Sequence, residues 1–427
     1  MARTHNVALT LADGTEIDVF DEYTVKIGMF DHGNPFTFTL WHSNEARAAW
    51  SYLLENVKCY DPVTLTIDGA IELSGVIGTV HPYADAKSAR LEISGRDMVG
   101  LAMDADVSPR LSAKGSTLAE VLEEMFVPLG IKVVVAASAS EVRDAQIGKR
   151  RAGRTKTHSR AHKIDKFHPP IGERIWAAAE RLCKRYGYLM WSAPYDADTI
   201  AVVIDVPAYD SEPLFQLTRR ARRDDNNTQD SNILSGGLRV CTDGIPTETW
   251  VYGAGSRGDT NPSRALAHEV NTRLDPRFVR HPPRYIPRHQ RTNQSRGLGQ
   301  AQQQARRSIN DQMRSHRVYE CVVQGHSQSY QGDDDVQLFY AINSMVRVRD
   351  DLLGIDEAMM LDSVTLARTA TGNTGTTTRL SLHTKGAIVC EPDAESAPSA
   401  PRGPRTPSQA DLRRYRTLAY AQTTVDP

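Results

Sequence analysis

Apolar and polar residues alternate along the first hundred positions, the period of antiparallel strands with one buried face. In "VALTLADGTEIDVF" the apolar side is Val7, Leu9 and Leu11, the chain turns at Asp13-Gly14, and alternation resumes at Ile17 and Val19. "PVTLTIDGAIELSGVIGTV" repeats the scheme around Asp68-Gly69. Both Asp-Gly pairs predict hairpins, because Asp and Gly tolerate the positive φ of a type I′ turn. A helix-like stretch, "NEARAAWSYLLENV", interrupts the strands. The pattern predicts a small barrel or sandwich.

From about residue 113 the period lengthens. In "STLAEVLEEMFVPLG", Leu118, Val121, Leu122 and Met125 share one helical face, Thr117 and Glu120 have capping-box spacing, and Pro128 with Gly130 ends the segment. The run "IKVVVAA" reads as a strand. A second helix, "ERIWAAAERLCKRYG", carries the stripe Ile175, Ala178, Ala179 and Leu182 with Gly187 as its C-terminal cap. "YLMW" and "IAVVIDV" follow as strands and complete a small α+β unit. Residues 215–232 read as a polar linker, and "NILSGGLRVCTDGIPTETWVYGAG" returns to β structure. The stretch 255–300 is rich in Arg, Pro, Asn and Gln, with a helical patch predicted at "SRALAHEVNTRL". A polar helix, "GLGQAQQQARRSINDQMRSHR", leads into a last β region over 318–390, and a Pro/Ser/Ala-rich linker with a basic-aromatic tail closes the chain.

The totals narrow the function classes. At 427 residues the chain is long enough for two to four domains. Its 51 basic and 52 acidic residues lack the basic excess of a dedicated nucleic-acid binder. No apolar run approaches the ~18 residues of a membrane span, and the N-terminal "MARTHNVALTLADG" has no apolar signal core, so a cytoplasmic origin is expected. Cys59, Cys183, Cys241, Cys321 and Cys390 are scattered without a CxxC pair, which predicts free thiols and neither a disulfide framework nor a zinc ribbon.

Four features could carry chemistry, and each has a plainer reading that fits better. Asp104 and Asp106 lie close to Arg96-Asp97, but an acid/base pair needs opposed environments in a cleft, whereas carboxylates two residues apart on an irregular segment make caps and turns. The "GDDD" at 332–335 lacks the ligand spacing of a calcium loop. The insert 149–166, with Lys149, Arg150, Arg151, Arg154 and Lys156, could contact nucleic acid, and His158, His162 and His168 could hold zinc. The insert has almost no aromatic residues for base stacking and no cysteine beside it, so a solvated or partner-docking loop is favoured. No GxSxG, P-loop, HExxH or Rossmann pattern occurs; no catalytic residue, metal or cofactor is assigned, and the chain is read as not an enzyme.

The first and last β regions echo each other. "PVTLTIDGAIELSGVIGTV", a loop and "ARLEIS" parallel "SMVRVRDDLLGIDEAMMLDSVTLA", a loop and "TRLSLH", so that Arg90-Leu91 and Ile93 fall on Arg379-Leu380 and Leu382. The order of features exceeds one hairpin and predicts two related barrels in one chain.

"SGRDMVGLAMDADVSP" resembles the segment by which baseplate hub proteins of contractile phage tails leave their first barrel. The Mu-like hub family is the nearer likeness and the hub part of type VI secretion spike proteins the more distant. The Val-Ile-Asp-Val-Pro strand, "NILSGGLRV", "TETWVYGAG", the Gln/Arg helix before "YECVVQGHSQ" and "INSMVRVRDDLLGIDEAMMLDSVTLA" agree with it in order, over nearly the whole chain to about residue 390. The basic insert, the stretch 255–300 and the C-terminal tail depart from it. The resemblance implies a mainly β fold with α+β inserts: a first tube-like barrel over 1–108, an α+β domain over 109–207, a second tube-like barrel from 208–254 with 317–390, an inserted polar and helical domain over 255–316, and an extended tail over 391–427.

It further implies a homotrimeric ring in the virion tail baseplate, assembled in the host cytoplasm, that adapts a sixfold tail tube or tube-initiator protein to a threefold spike protein. Other baseplate proteins would bind through the tail, and DNA would pass only as cargo in the lumen. On this reading Gly95 lets the chain turn at the barrel exit, Arg96 and Asp97 lock it by a charge-assisted contact, and Asp104 caps the crossing to the next domain. The basic insert would face a partner or the lumen. The alternatives are a hub-associated cell-envelope hydrolase and a nucleic-acid-binding module using the insert 149–166.

Overall fold

The computed structural model describes residues 5–18, 20–42, 47–86, 88–111, 116–135, 164, 167–196, 199–220, 231–253, 266–280, 283–292, 298–330, 333–369 and 375–390. The first β unit contains β1 (Val7–Leu11), β2 (Glu16–Ile17), β3 (Glu22–Gly28), β4 (Pro35–Trp41), helix α1 (Arg47–Asn56), β5 (Pro62–Ile67), β6 (Ala70–Ala84) and β7 (Ala89–Asp97). The alternation sends Val25, Phe36, Phe38, Leu65, Leu91 and Ile93 into the core. The turn at Asp68-Gly69 has positive φ at both residues, +49° and +81°, as a type I′ hairpin requires. The turn at Asp13-Gly14 differs. Only Gly14 is positive there, and the Asp13 carboxylate instead accepts from the Thr15 amide at 2.9 Å.

Helix α2 (Val99–Asp104) leads to the α+β unit: α3 (Leu118–Phe126), β8 (Lys132–Val135), α4 (Ile175–Arg185), β9 (Leu189–Asp196) and β10 (Thr199–Asp205). Thr117 Oγ1 accepts from the Glu120 amide at 3.2 Å, and Glu120 accepts from the Thr117 amide at 2.7 Å. This reciprocal capping box starts α3 where the spacing predicts it. The stripes of α3 and α4 pack into a core of their own together with Val99 and Ala102 of α2, over the sheet β8-β10-β9.

The second β unit comprises β11 (Phe215–Arg219), β12 (Ile233–Val240), β16 (Arg317–Gln324), the hairpin β17 (Ser327–Tyr330) and β18 (Asp333–Phe339), β19 (Ser344–Asp350), β20 (Ile355–Arg368) and β21 (Thr376–Thr384). Between β12 and β16 lie β13 (Glu248–Gly253), β14 (Leu266–Val270), β15 (Pro287–Thr292) and α5 (Leu298–Met313). The segment expected to be helical at "SRALAHEVNTRL" therefore carries a strand. Leu266–Val270 pairs antiparallel with β13, and Ala267 packs with Val251, Ala301 and Ala305, so tertiary packing against α5 overrides a weak helical period.

Fold class follows directly: a mainly β protein with α+β inserts. Thirteen strands form one sheet in the order β12-β16-β21-β20-β3-β4-β7-β6-β5-β1-β2, with β19 beside β20 and β11 beside β19. The order β3-β4-β7-β6-β5-β1 has a counterpart in β12-β16-β21-β20-β19-β11, and the six strands come in the same chain order in both units. β6 and β20 are the long strands, 15 and 14 residues, and each shifts register once against its return strand, at Ile77/Thr79 and at Leu361/Ser363. One difference stands out: β1 is antiparallel to β5, whereas β11 is parallel to β19. Between the units β20 pairs directly with β3, from Ser363↔Gly28 to Arg368↔Tyr23, so one core runs through both. No helix among the described residues is long and apolar enough to cross a membrane.

Candidate functional site

Two places hold the parts of the molecule in register: the exit from β7 and the junction of β3 with β20. At the exit, Gly95 lies inside β7 and is paired on both sides, with Phe36 and with Ile77. A Cβ there would stand 2.5 Å from Phe36 Cζ and closer still to the Val76 carbonyl oxygen. Glycine is required by close approach of backbone and ring, and the chain turns two residues later.

Arg96 and Asp97 do not meet each other, because neighbours on a strand face opposite sides. Arg96 reaches forward to the Asp104 carboxylate in an ion pair at the surface. Asp97 is 1% exposed and points inward. It accepts from Asn34 Nδ2 at 2.8 Å and from the Gly100 amide at 3.2 Å. Burial pushes its carboxyl up to about 6, against the opposing pull of those hydrogen bonds. Asn34 does more than receive this contact: its Oδ1 accepts from the Gly28 amide at 3.1 Å and its Nδ2 also reaches the Ser192 carbonyl at 3.4 Å. One buried amide therefore ties the end of β3, the end of β7 and strand β9.

Asp104 and Asp106 complete the crossing through Arg174. Arg174 donates to the Asp104 carbonyl and pairs with the Asp106 carboxylate at 3.0 Å. The backbone follows: Ile175 N donates to Ala105 O at 2.9 Å and Val107 N to Glu173 O at 2.9 Å. The Asp106 carboxylate and the Asp104 carbonyl thus hold the start of α4 to the end of α2, which the Asp104 carboxylate ties back to β7 through Arg96. The sequence brings Arg96, Asp97 and Asp104 to notice by proximity, but Asn34 and Arg174 stand 63 and 70 residues from their partners and carry no local signal.

The second junction is a buried polar chain. His5 Nδ1 contacts Asp68 Oδ2 at 2.6 Å, and its Nε2 accepts from the His326 amide at 3.0 Å, which places the ring proton on Nδ1. The two imidazoles stack with centroids 5.1 Å apart. Thr378 Oγ1 donates to the Gly325 carbonyl at 2.6 Å and so accepts from His326 Nδ1 at 2.8 Å. His326 Nε2 is left to accept from the Tyr23 hydroxyl at 2.8 Å. Burial, reinforced by the neighbouring His5, holds His326 down to about 3, so the ring is neutral. Tyr23 belongs to β3 and Thr378 to β21, and the chain clasps the two β units where β3 meets β20.

A third element stiffens the second unit. Asp350, fully buried, receives a two-pronged contact from Arg219, at 3.0 Å from Nε and 2.5 Å from Nη2, and the Tyr319 hydroxyl at 2.8 Å. Such fork geometry fixes β11 beside β19.

Among the described residues no three His, Cys, Asp or Glu are grouped to hold a metal ion. Lys149, Arg150, Arg151, Arg154 and Lys156, with His158 and His162, lie outside the described residues, as does the tail 391–427. The polar groups at the β7 exit, at the β3–β20 junction and around Asp350 join separate elements of the fold, which is a bracing role.

This architecture is a phage tail-protein fold. The tail protein from Neisseria meningitidis MC58 superimposes with a TM-score of 0.68 at 20% identity, covering 90% of this chain and 98% of that one. The 43 kDa tail protein of prophage MuSo2 from Shewanella oneidensis does so with a TM-score of 0.69 at 17% identity, over 90% and 100%. The Francisella PdpA-VgrG complex, in its half-lidded form, matches at 0.53 and 9% identity over 94% of this chain and 60% of that one. At such identities the likeness is one of fold. No protein-family model and no curated protein matches the sequence.

Proposed function

We propose that this chain is a structural hub of a contractile phage tail or phage-like particle, a homotrimer whose three copies present six like β units. The observation that carries the reading is the strand order repeated within one chain, on a fold shared along its length with two tail proteins. Three copies of a doubled unit offer near-sixfold symmetry to a tail tube and threefold symmetry to a spike, so assembly geometry performs the function and no bond is made or broken. The partition into two tube-like barrels, an α+β domain and an inserted domain belongs to this proposal. So do the spike partner on one side, the tube or tube-initiator on the other, further baseplate proteins at the tail, and DNA as cargo in the lumen. The protein's place is then the baseplate of the virion tail, reached by assembly in the host cytoplasm. The role proposed for the β7 exit is to hold the α+β unit at a fixed angle to the ring.

Native mass spectrometry of the purified chain, with averaged negative-stain images, tests the proposal. A trimeric mass and an open ring with near-sixfold outer density are expected. A monomer at high concentration that forms no ring would overturn it.

A further inference from the structure

The contact between the two β units inside one chain leaves an unfilled counterpart at each end of the repeat. β20 lends its outer half to β3, with Thr365↔Lys26, Leu366↔Val25 and Ala367↔Thr24 in register. Each of those strands has a counterpart in the other unit: β6 corresponds to β20, and β12 to β3. Among the described residues neither counterpart has the equivalent neighbour. β5 pairs β6 only from Ala70 to Val76, and past Ile77 the strand is paired on the β7 side alone. β12 is the end of the sheet and pairs only with β16. Residues 81–84 are exposed, with Tyr83 at 46%, along a strand edge that no described strand covers.

We propose that the outer half of β6 in one copy pairs antiparallel with β12 in a second copy, so that Tyr83 faces Cys241, Ala84 faces Val240 and Asp85 faces Arg239 of the partner. This rests on the hub reading and names the strands that close its ring. The register follows from the repeat. Leu91 and Ile93 fall on Leu380 and Leu382; reading the ladders outward from them puts Phe38 on Tyr319, Tyr23 on Leu238 and Tyr83 on Thr365. Lys26 then corresponds to Cys241, which fixes the pairs.

Two observations independent of the alignment agree with that register. The first is backbone parity. Asp85 N donates to Ser88 O, so Asp85 turns its groups toward β7 and Ala84 turns its own to the open edge. Cys241 N donates to His316 O, so Val240 likewise faces the open edge. Ala84 and Val240 are the pair that must exchange hydrogen bonds, and both have the required orientation; a register one residue off would set an outward residue against an inward one. The second is charge: the register sets the acidic Asp85 against the basic Arg239, both exposed. Pro82 brings no N–H to the new ladder, leaving it one donor short.

Tyr83 and Cys241 form a non-hydrogen-bonded pair, the closer kind, whose Cβ separation suits a disulfide. One introduced cysteine therefore tests the proposal in the full chain. With Cys59, an exposed thiol, replaced by Ser, Tyr83→Cys under mild oxidation is expected to give covalent dimers and trimers. The 83–241 peptide should appear in digests, with at least a tenfold loss when Cys241→Ser is added. A second pair, Asp85→Cys with Arg239→Cys in the Cys59→Ser, Cys241→Ser background, reads the same register two residues along and stands in should loss of the Tyr83 ring weaken folding. Native mass spectrometry of the unoxidised samples separates the two ideas. A trimer in which neither pair cross-links overturns the strand pairing and leaves the hub reading standing. A monomer removes both.

Discussion

Single side chains in this protein act chiefly by where they are allowed to be. Glu72, in β6, is buried and burial pushes its carboxyl up to about 8, so the folded protein holds it protonated at neutral pH. The unfolded chain ionises near 4.5. A carboxyl whose folded pKa lies above its unfolded one favours folding fully only below the unfolded value, and that contribution is lost as pH rises toward the folded value. Glu72→Gln keeps the shape without the ionisation. It is expected to raise stability at pH 7.5 by up to about 4 kcal/mol and to leave stability at pH 4.5 nearly unchanged. Denaturant midpoints of both proteins at the two pH values check this, and an equal difference at both would contradict it. Gly95 shows the other side of residue-scale constraint. Its tolerance for positive φ is not used; the absent Cβ is.

Among elements, those specified within a few residues are the ones the sequence makes legible. α3 carries its cap, stripe and terminator inside one short stretch, and the Asp68-Gly69 hairpin needs only its two turn residues. β14 was hidden because its pairing to β13 and its packing on Ala301 and Ala305 come from segments distant in sequence. The clasp at β3 and β20 was hidden for the same reason, since Tyr23 and His326 are 303 residues apart. The candidate site divides in the same way: the acidic and basic groups after β7 are visible in the sequence, while Asn34 and Arg174, which give those groups their partners, are not. His326 makes the clasp sensitive to acid. Its folded pKa is held down to about 3, below the ordinary 6.5, so between those values the unfolded chain binds a proton that the folded chain excludes. Stability therefore falls as pH falls through this window, by up to about 1.4 kcal/mol per pH unit from this one group. His326→Gln, which retains a donor and an acceptor, is expected to shallow the stability slope between pH 6 and pH 4.5 by about that amount. An unchanged slope would show that the clasp does not titrate as described.

At the scale of the whole molecule the β3–β20 ladder decides how the chain behaves as a unit. Two β units folding as independent domains would each bury their own core and meet over a polar, hydrated surface. Here the hydrophobic cluster runs without interruption from Val7 through Leu65 and Ile93 to Val346, Leu361 and Ile388, and backbone pairs cross the junction in the middle of the sheet. The α+β unit has a separate core built from α2, α3, α4 and its own strands. Opening the junction would strip β3 of one ladder and expose apolar side chains in both β units at once, so the two units are expected to open together. Native-state hydrogen exchange read by mass spectrometry should place amides of β3, β7, β20 and β21 in one slowest-exchanging group with a common opening free energy. Amides of α3 and α4 should form a second group of lower opening free energy, because a smaller core holds them. Earlier exchange of β3 and the outer half of β20 than of β7 and β21 would mean that the units part before they unfold, and the doubled sheet would then be two domains in contact and not one.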